Sequence, residues 1–331
     1  MAKRRPARRT VTRPQPAESS ARASAASTSA PPGPPINVSV LTGFLNSLES
    51  YSQELVQHLR SGQKLCHYTT LGGAIGIIES GDLWLTNSRY SNDDEEHRYG
   101  QELVDEVLTE LQREGQGGAS NLEWLTRLRE ALAAATSDQI YICCFCQRDN
   151  LLSQWRGYAD NGGGVSLEFD PVGFTDITGR DCPHGLMRLW KVFYDRAQQQ
   201  QIIRKCIDYP HWPSQTDYDR IRFVVDALQF FMPTFKNADF QEEQERRLIF
   251  TPYQQMSALP RFRTRGGLLV PYFSLRDVAG PGAIDFHLPI SGVLVGPSLH
   301  RNLNVESTRL LLQKHKYAAV PVTASTTPYR P

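Results

Sequence analysis

The segment DFQEEQERRLIF, residues 239–250, sets three glutamates and two arginines directly against an apolar run. Two periodicities fit it. As a helix, Glu242 faces Arg246 and Glu243 faces Arg247, at the four-residue spacing of an ion-paired surface. As a strand, Glu243, Glu245, Arg247 and Ile249 share one face. Acids along one strand face repel unless an arginine or a ligand's hydroxyls offset them. A carboxylate there can hold a ribose hydroxyl and stabilise positive charge growing at an anomeric carbon, as glycosidase carboxylates do. The helix would be surface decoration; the strand would be a site.

Three other stretches carry reactive or ligand-binding side chains. In LCHYTT, alternation puts His67 and Thr69 on one strand face and Cys66 and Tyr68 on the other. A histidine at a strand end can donate to a ribose hydroxyl or a carbonyl, or serve as a satisfied structural group. NSRYSNDDEEHR, residues 87–98, reads as a polar loop with Ser91 or Asn92 capping a helix. Capping does not account for Arg89 and Tyr90, which offer an anion clamp and a stacking ring. In LLSQWRGYADNGGG, Trp155 and Tyr158 share a helix face beside a glycine run, as core aromatics or as ligand contacts. The cysteines of YICCFC suit a buried strand, and their spacing with CPH does not make a zinc site, so no metal is expected.

These residues need a scaffold. Strand-like segments are KLCHYTT, DLWLTN, QIYICCFC, GVSLEFD, LMRLWKVFYD, GLLVPYFSL, IDFHLPI, GVLVGPS and AAVPVT. Helical spacing marks LGGAIGIIESG, Asp93 to about Glu114, NLEWLTRLREALAAAT, LLSQWRGYAD, much of 195–232, and VESTRLLLQKHKY. Early helices and strands mix while strands gather later, so α+β fits better than a βαβ repeat. Neither a Walker loop nor a dinucleotide glycine fingerprint is present.

The ends and the composition set bounds. Residues 1–37 are rich in Pro, Ala, Ser, Thr and Arg and read as a disordered basic tail. Its cluster MAKRRPARRTVTRP is a possible weak contact for nucleic acid. Residues 38–63 read as an N-terminal helix and 64–331 as one α+β domain. A net charge of +1 gives no global pull toward polyanions. Without a membrane span, a secretory signal or a disulfide pattern, a cytoplasmic protein is expected.

Taken in order, the motifs resemble a bacterial family, the domain of unknown function two-nine-seven-one. The matching positions begin with His67-Tyr68-Thr69, Asn92-Asp93, Cys144-Phe145, Trp155 and Tyr158-Ala159 with Gly163 or Gly164. They continue with Glu245 and Arg247-Leu248, Leu288-Pro289-Ile290, Gly296-Pro297 and Pro328-Tyr329-Arg330. Arg246 stands where the family often has an aromatic, and Asp94 where it often has Pro.

The motif order is also similar to that of ADP-ribosyltransferases, which implies a split, mostly antiparallel sheet flanked by helices, with NAD as substrate. Under that resemblance His67 and Thr69 lie on the ribose strand and Tyr90, Trp155 or Tyr158 stacks on nicotinamide. Arg247 or Arg89 meets the pyrophosphate, Asn92 is a further cofactor contact, Glu245 is the catalytic carboxylate and Glu243 assists. The implied activity is cleavage of the nicotinamide–ribose bond and modification of a macromolecule, in a toxin or phage-defence setting. Glu245→Gln is expected to abolish turnover with the fold intact. The alternatives are a non-catalytic ligand- or nucleic-acid-binding module, and a magnesium nuclease built on Asp93, Asp94, Glu243 and Glu245.

Overall fold

The computed structural model describes residues 43–44, 64–90, 94–115, 118–135, 140–173, 182, 184–212, 216–252, 259–279 and 287–328; the side chains of 94–97 and 118–120 are outside the description. The 1–37 tail, Asn92, Asp93, the terminal Tyr329-Arg330 and all of 38–63 except Gly43 and Phe44 therefore lie outside it.

The fold is α+β, with a mixed, mostly antiparallel open sheet of ten strands. The strands are β1 (Leu65–Thr69), β2 (Trp84–Asn87), β3 (Tyr141–Cys146), β4 (Val165–Phe169) and β5 (Gly185–Lys191). They continue as β6 (Glu245–Pro252), β7 (Arg261–Arg265), β8 (Leu268–Ser274), β9 (Ile290–Val295) and β10 (Val322–Ala324). Only β9–β10 is parallel among these pairs. The helices are α1 (Leu71–Ser80), α2 (Asp94–Glu114), α3 (Gly118–Ala134), α4 (Leu152–Tyr158), α5 (Arg196–Asp208), α6 (Asp217–Phe231), α7 (Leu275–Val278) and α8 (Arg301–Lys314). None of the described helices is long and apolar enough to cross a membrane.

Strand β3 is the hub. One edge pairs with β6 over its whole length, from Tyr141↔Phe250 to Cys146↔Glu245, and β6 in turn pairs with β5. The other edge is shared between two strands. β2 pairs at Tyr141 and Ile142, whereas β1 meets β3 only where Cys66 opposes Cys146. β1 leaves to run beside β4 over all five of its residues, and β2 leaves to pair with β8. The sheet therefore opens into a fork along Cys143–Phe145.

Alternation along the hub sorts the core into two layers. Ile142 and Ile249 face a helical layer in which α2, α3, α5 and α6 bury Leu103, Leu128, Ile203 and Leu228. Phe44 joins this layer fully buried, its ring 4.9 Å from Trp212. A phenylalanine so buried contributes about 1.5–3 kcal/mol. Tyr141, Cys143, Phe145, Leu248 and Phe250 face the opposite layer, closed by α1, α7 and α8 through Ile78, Leu275 and Leu312.

Two glycines hold the β1–β4–β9 arm of the fork together. A Cβ on Gly164 would lie 2.1 Å from the Thr69 carbonyl oxygen, and one on Gly296 would lie 2.3 Å from that of Gly162. No side chain fits either position, which gives the glycine run before β4 and the Gly-Pro turn after β9 a packing reason.

Three expectations need correction. The segment 239–250 is neither all helix nor all strand: Ala238–Glu243 forms a 3-10 turn, Gln244 adopts φ 44°, and β6 starts at Glu245. Glu243 is thus off the strand, and Arg246 is buried within it. In IDFHLPI only Ile290 is strand among the described residues, because Leu288 and Pro289 form the approach to β9. The added strand is RFRTR, which forms β7 through a Gly266-Gly267 turn with both φ values positive.

Candidate functional site

The fork encloses a cavity of about 460 Å³. Its walls include His67 and Thr69 from β1, Gly72 and Gly76 from α1, Trp84 and Thr86 from β2, and Cys143 and Cys144 from β3. Tyr158 from α4, Glu243, Glu245 and Arg247 from the β6 region, and Arg263 and Arg265 from β7 complete it. Residues separated by most of the chain meet here because β3 carries β1, β2 and β6 at once.

His67 fills the gap left where β1 departs from β3. Its Nδ1 lies 2.9 Å from the Cys144 carbonyl oxygen, which can only accept, so Nδ1 carries the proton. Burial, with the Arg263 charge adding to it, lowers the ring's proton affinity against the pull of the Cys144 carbonyl. The neutral ring then presents Nε2 as an acceptor. Of the two donor roles expected of His67, toward a ribose hydroxyl or toward a carbonyl, the structure shows the second, from Nδ1 to Cys144.

Glu245 sits in a closed ionic cluster. Arg247 donates to both of its oxygens, Nε to Oε1 at 2.7 Å and Nη2 to Oε2 at 2.8 Å. Lys236 reaches Glu245 at 3.3 Å and Glu243 at 2.6 Å. All four side chains are buried. Burial opposes ionisation of Glu245, but the charge and hydrogen bonds of Arg247, with Lys236, hold its pKa down at about 2. The backbone N–H of Glu245 donates to the Tyr194 hydroxyl, and the Cys146 thiol donates to the Glu243 carbonyl, pinning the turn against β3. Burial and the negative field of Glu243 keep the Tyr158 hydroxyl protonated. The Cys144 thiol is raised by burial and then by Glu245, so it is not a ready nucleophile.

The expected site residues divide. His67, Thr69, Tyr158, Glu243, Glu245 and Arg247 share the cavity. Trp155 does not: it is fully buried, its Nε1 donates to Asn150, and its ring packs edge-on to Tyr68. It is a core residue, and the helix turn that buries it leaves Tyr158 facing out. Arg89 and Tyr90 are on a 3-10 turn after β2 and are not among the cavity walls; Arg89 is exposed. Arg247 lines the cavity, but Glu245 occupies its fork, so it is not positioned as a pyrophosphate clamp. Lys236 and the β7 arginines were not anticipated. The alternating arginines of RFRTR before a double glycine carried a strand signal; Lys236 had none.

The chain is an α+β protein with a ligand-sized cleft where a mostly antiparallel sheet opens. Residues 154–248 match the model of a family described as "Protein of unknown function (DUF2971)". That stretch contains Tyr158, Glu243, Glu245 and Arg247, and β1 with His67 lies before it. No curated protein and no solved structure matches the chain.

Proposed function

We propose that the cavity binds NAD and that the protein cleaves its nicotinamide–ribose bond, passing ADP-ribose to a macromolecular acceptor, as ADP-ribosyltransferases do. The observation that carries this reading is convergence: His67 and Thr69 line one 460 Å³ cavity with Tyr158 and an ionised Glu245. Nicotinamide departure builds positive charge on the ribose, and a preorganised carboxylate lowers that barrier without moving a proton. Glu245, ionised above pH of about 2, suits this electrostatic role and not that of a general base. The Tyr158 ring supplies a stacking surface, and His67 Nε2 accepts from a ribose hydroxyl.

The bidentate hold of Arg247 on Glu245 favours a second reading, a module that binds the nucleotide without turning it over. One experiment separates the two. Nicotinamide release and transfer of labelled ADP-ribose to a lysate are followed for the wild type and for Gly76→Leu, alongside the thermal shift caused by NAD. Gly76 lines the cavity and a Cβ there meets nothing within 4 Å, so a leucine adds bulk at the cavity wall while leaving the residues of the ion cluster unchanged. Release by the wild type and its loss in a folded Gly76→Leu support the transferase. An NAD-induced thermal shift without release supports the module, and neither shift nor release overturns both.

A further inference from the structure

The arginines of β7 alternate along one face, and their surroundings differ. Arg261 is neutralised by Asp277, 2.7 Å away. Arg263 has no carboxylate within ion-pair distance among the described residues. It donates from Nη2 to the Thr86 hydroxyl at 2.8 Å and lies 5.2 Å over the Trp84 ring. Its Nε is buried and makes no hydrogen bond. Both contacts orient the guanidinium without cancelling its charge. Burial and the neighbouring Arg265 charge further disfavour the cation.

This charge belongs to the cavity. Arg263 and Arg265 both line it, and the field of Arg263 reaches His67 and Cys143 across the fork. Arg265 donates to the Tyr90 carbonyl, which holds it beside Arg263. Two residues of one strand face are about 7 Å apart at Cα. A partly buried guanidinium without a counter-charge is unfavourable until an anion arrives, and its planar fork matches phosphate oxygens.

We propose that Arg263, with Arg265 beside it, is the phosphate subsite of this cavity and takes the diphosphate of a nucleotide ligand. This rests on the nucleotide reading above for its ligand class, and it replaces Arg247 and Arg89 as the pyrophosphate contacts. Thr86 and Trp84 are positioning residues that fix the fork's direction. A single carboxylate ligand would use one guanidinium; a diphosphate spans toward both.

Titration calorimetry of the full chain tests it, with ADP-ribose, adenosine and inorganic pyrophosphate as probes of wild type, Arg263→Gln and Arg263→Lys. The expected result is a loss of about 10- to 100-fold in ADP-ribose affinity for Arg263→Gln, with adenosine unchanged. Arg263→Lys should recover only part, because a point charge lacks the fork. Unfolding curves confirm that each variant is folded. Equal ADP-ribose binding by wild type and Arg263→Gln overturns the subsite and leaves the nucleotide reading standing. Pyrophosphate binding that Arg263→Gln removes, with no ADP-ribose binding, supports the subsite and removes the nucleotide reading. Parallel losses for adenosine and ADP-ribose, or no binding of any probe, overturn the proposal.

Discussion

Two charged strands border one cavity and reach opposite electrostatic states. On β6, Glu245 and Arg247 close on each other, and Lys236 with Glu243 completes a neutral buried set. On β7, Arg261 is neutralised, whereas Arg263 holds its charge against a hydroxyl and an aromatic face. The difference comes from neighbours and not from strand pattern. The 3-10 turn and left-handed Gln244 bring Glu243 to Lys236, while on β7, the last strand of its arm, Asp277 is taken by Arg261 and Arg263 has no carboxylate within ion-pair distance among the described residues. Charge that is satisfied internally organises a site. Charge left oriented and unneutralised is what a ligand can use.

The largest expected effect follows from the closed side. Glu245→Gln leaves Arg247 and Lys236 buried with one carboxylate between them, and breaking such a set costs about 3–5 kcal/mol. The variant should therefore fold with markedly reduced stability. Arg263→Gln removes a hydroxyl contact and a ring contact and should cost under about 1 kcal/mol. Urea unfolding of both variants measures the contrast. Equal costs would erase the distinction between the two strands.

Acid provides the next test, with its sign fixed by Glu245. Its pKa is about 2 in the folded chain and 4.5 is its ordinary value. The folded state thus binds the proton more weakly than the unfolded state. The resulting stabilisation is full above pH of about 4.5 and is lost as pH falls toward 2, up to about 3 kcal/mol. His67 acts in the same direction at higher pH: its lowered proton affinity withdraws stability as pH falls below its ordinary value of 6.5. Stability followed from pH 7 to pH 3 should decline in both windows, and Glu245→Gln should flatten only the lower one. An unchanged lower slope would place Glu245 outside the ionic set.

Much of this arrangement was legible beforehand, for identifiable reasons. The strands of LCHYTT and YICCFC follow from short runs of apolar, aromatic and β-branched residues, and both form where expected. The α+β class followed from element order. Local pattern could not reveal that β3 shares one edge between β1 and β2, because register is a tertiary property. Nor could it separate Trp155 from Tyr158, which share helical spacing while only one meets the Tyr68 core. The turn at Gln244 was hidden because a non-glycine residue at positive φ carries little sequence signal.

The smallest effect bears on the open side of the comparison. Gly76 is an exposed residue in the middle of α1, where glycine costs about 0.5–1 kcal/mol relative to alanine. Its φ is not in the left-handed range, and a Cβ there meets no atom within 4 Å. Neither strain nor crowding accounts for the glycine, which lines the cavity. Gly76→Ala should raise stability by about 0.5–1 kcal/mol in urea unfolding while weakening ADP-ribose binding modestly. A stability gain with undiminished affinity would mean that the ligand does not approach α1, and would confine it to the β7 wall.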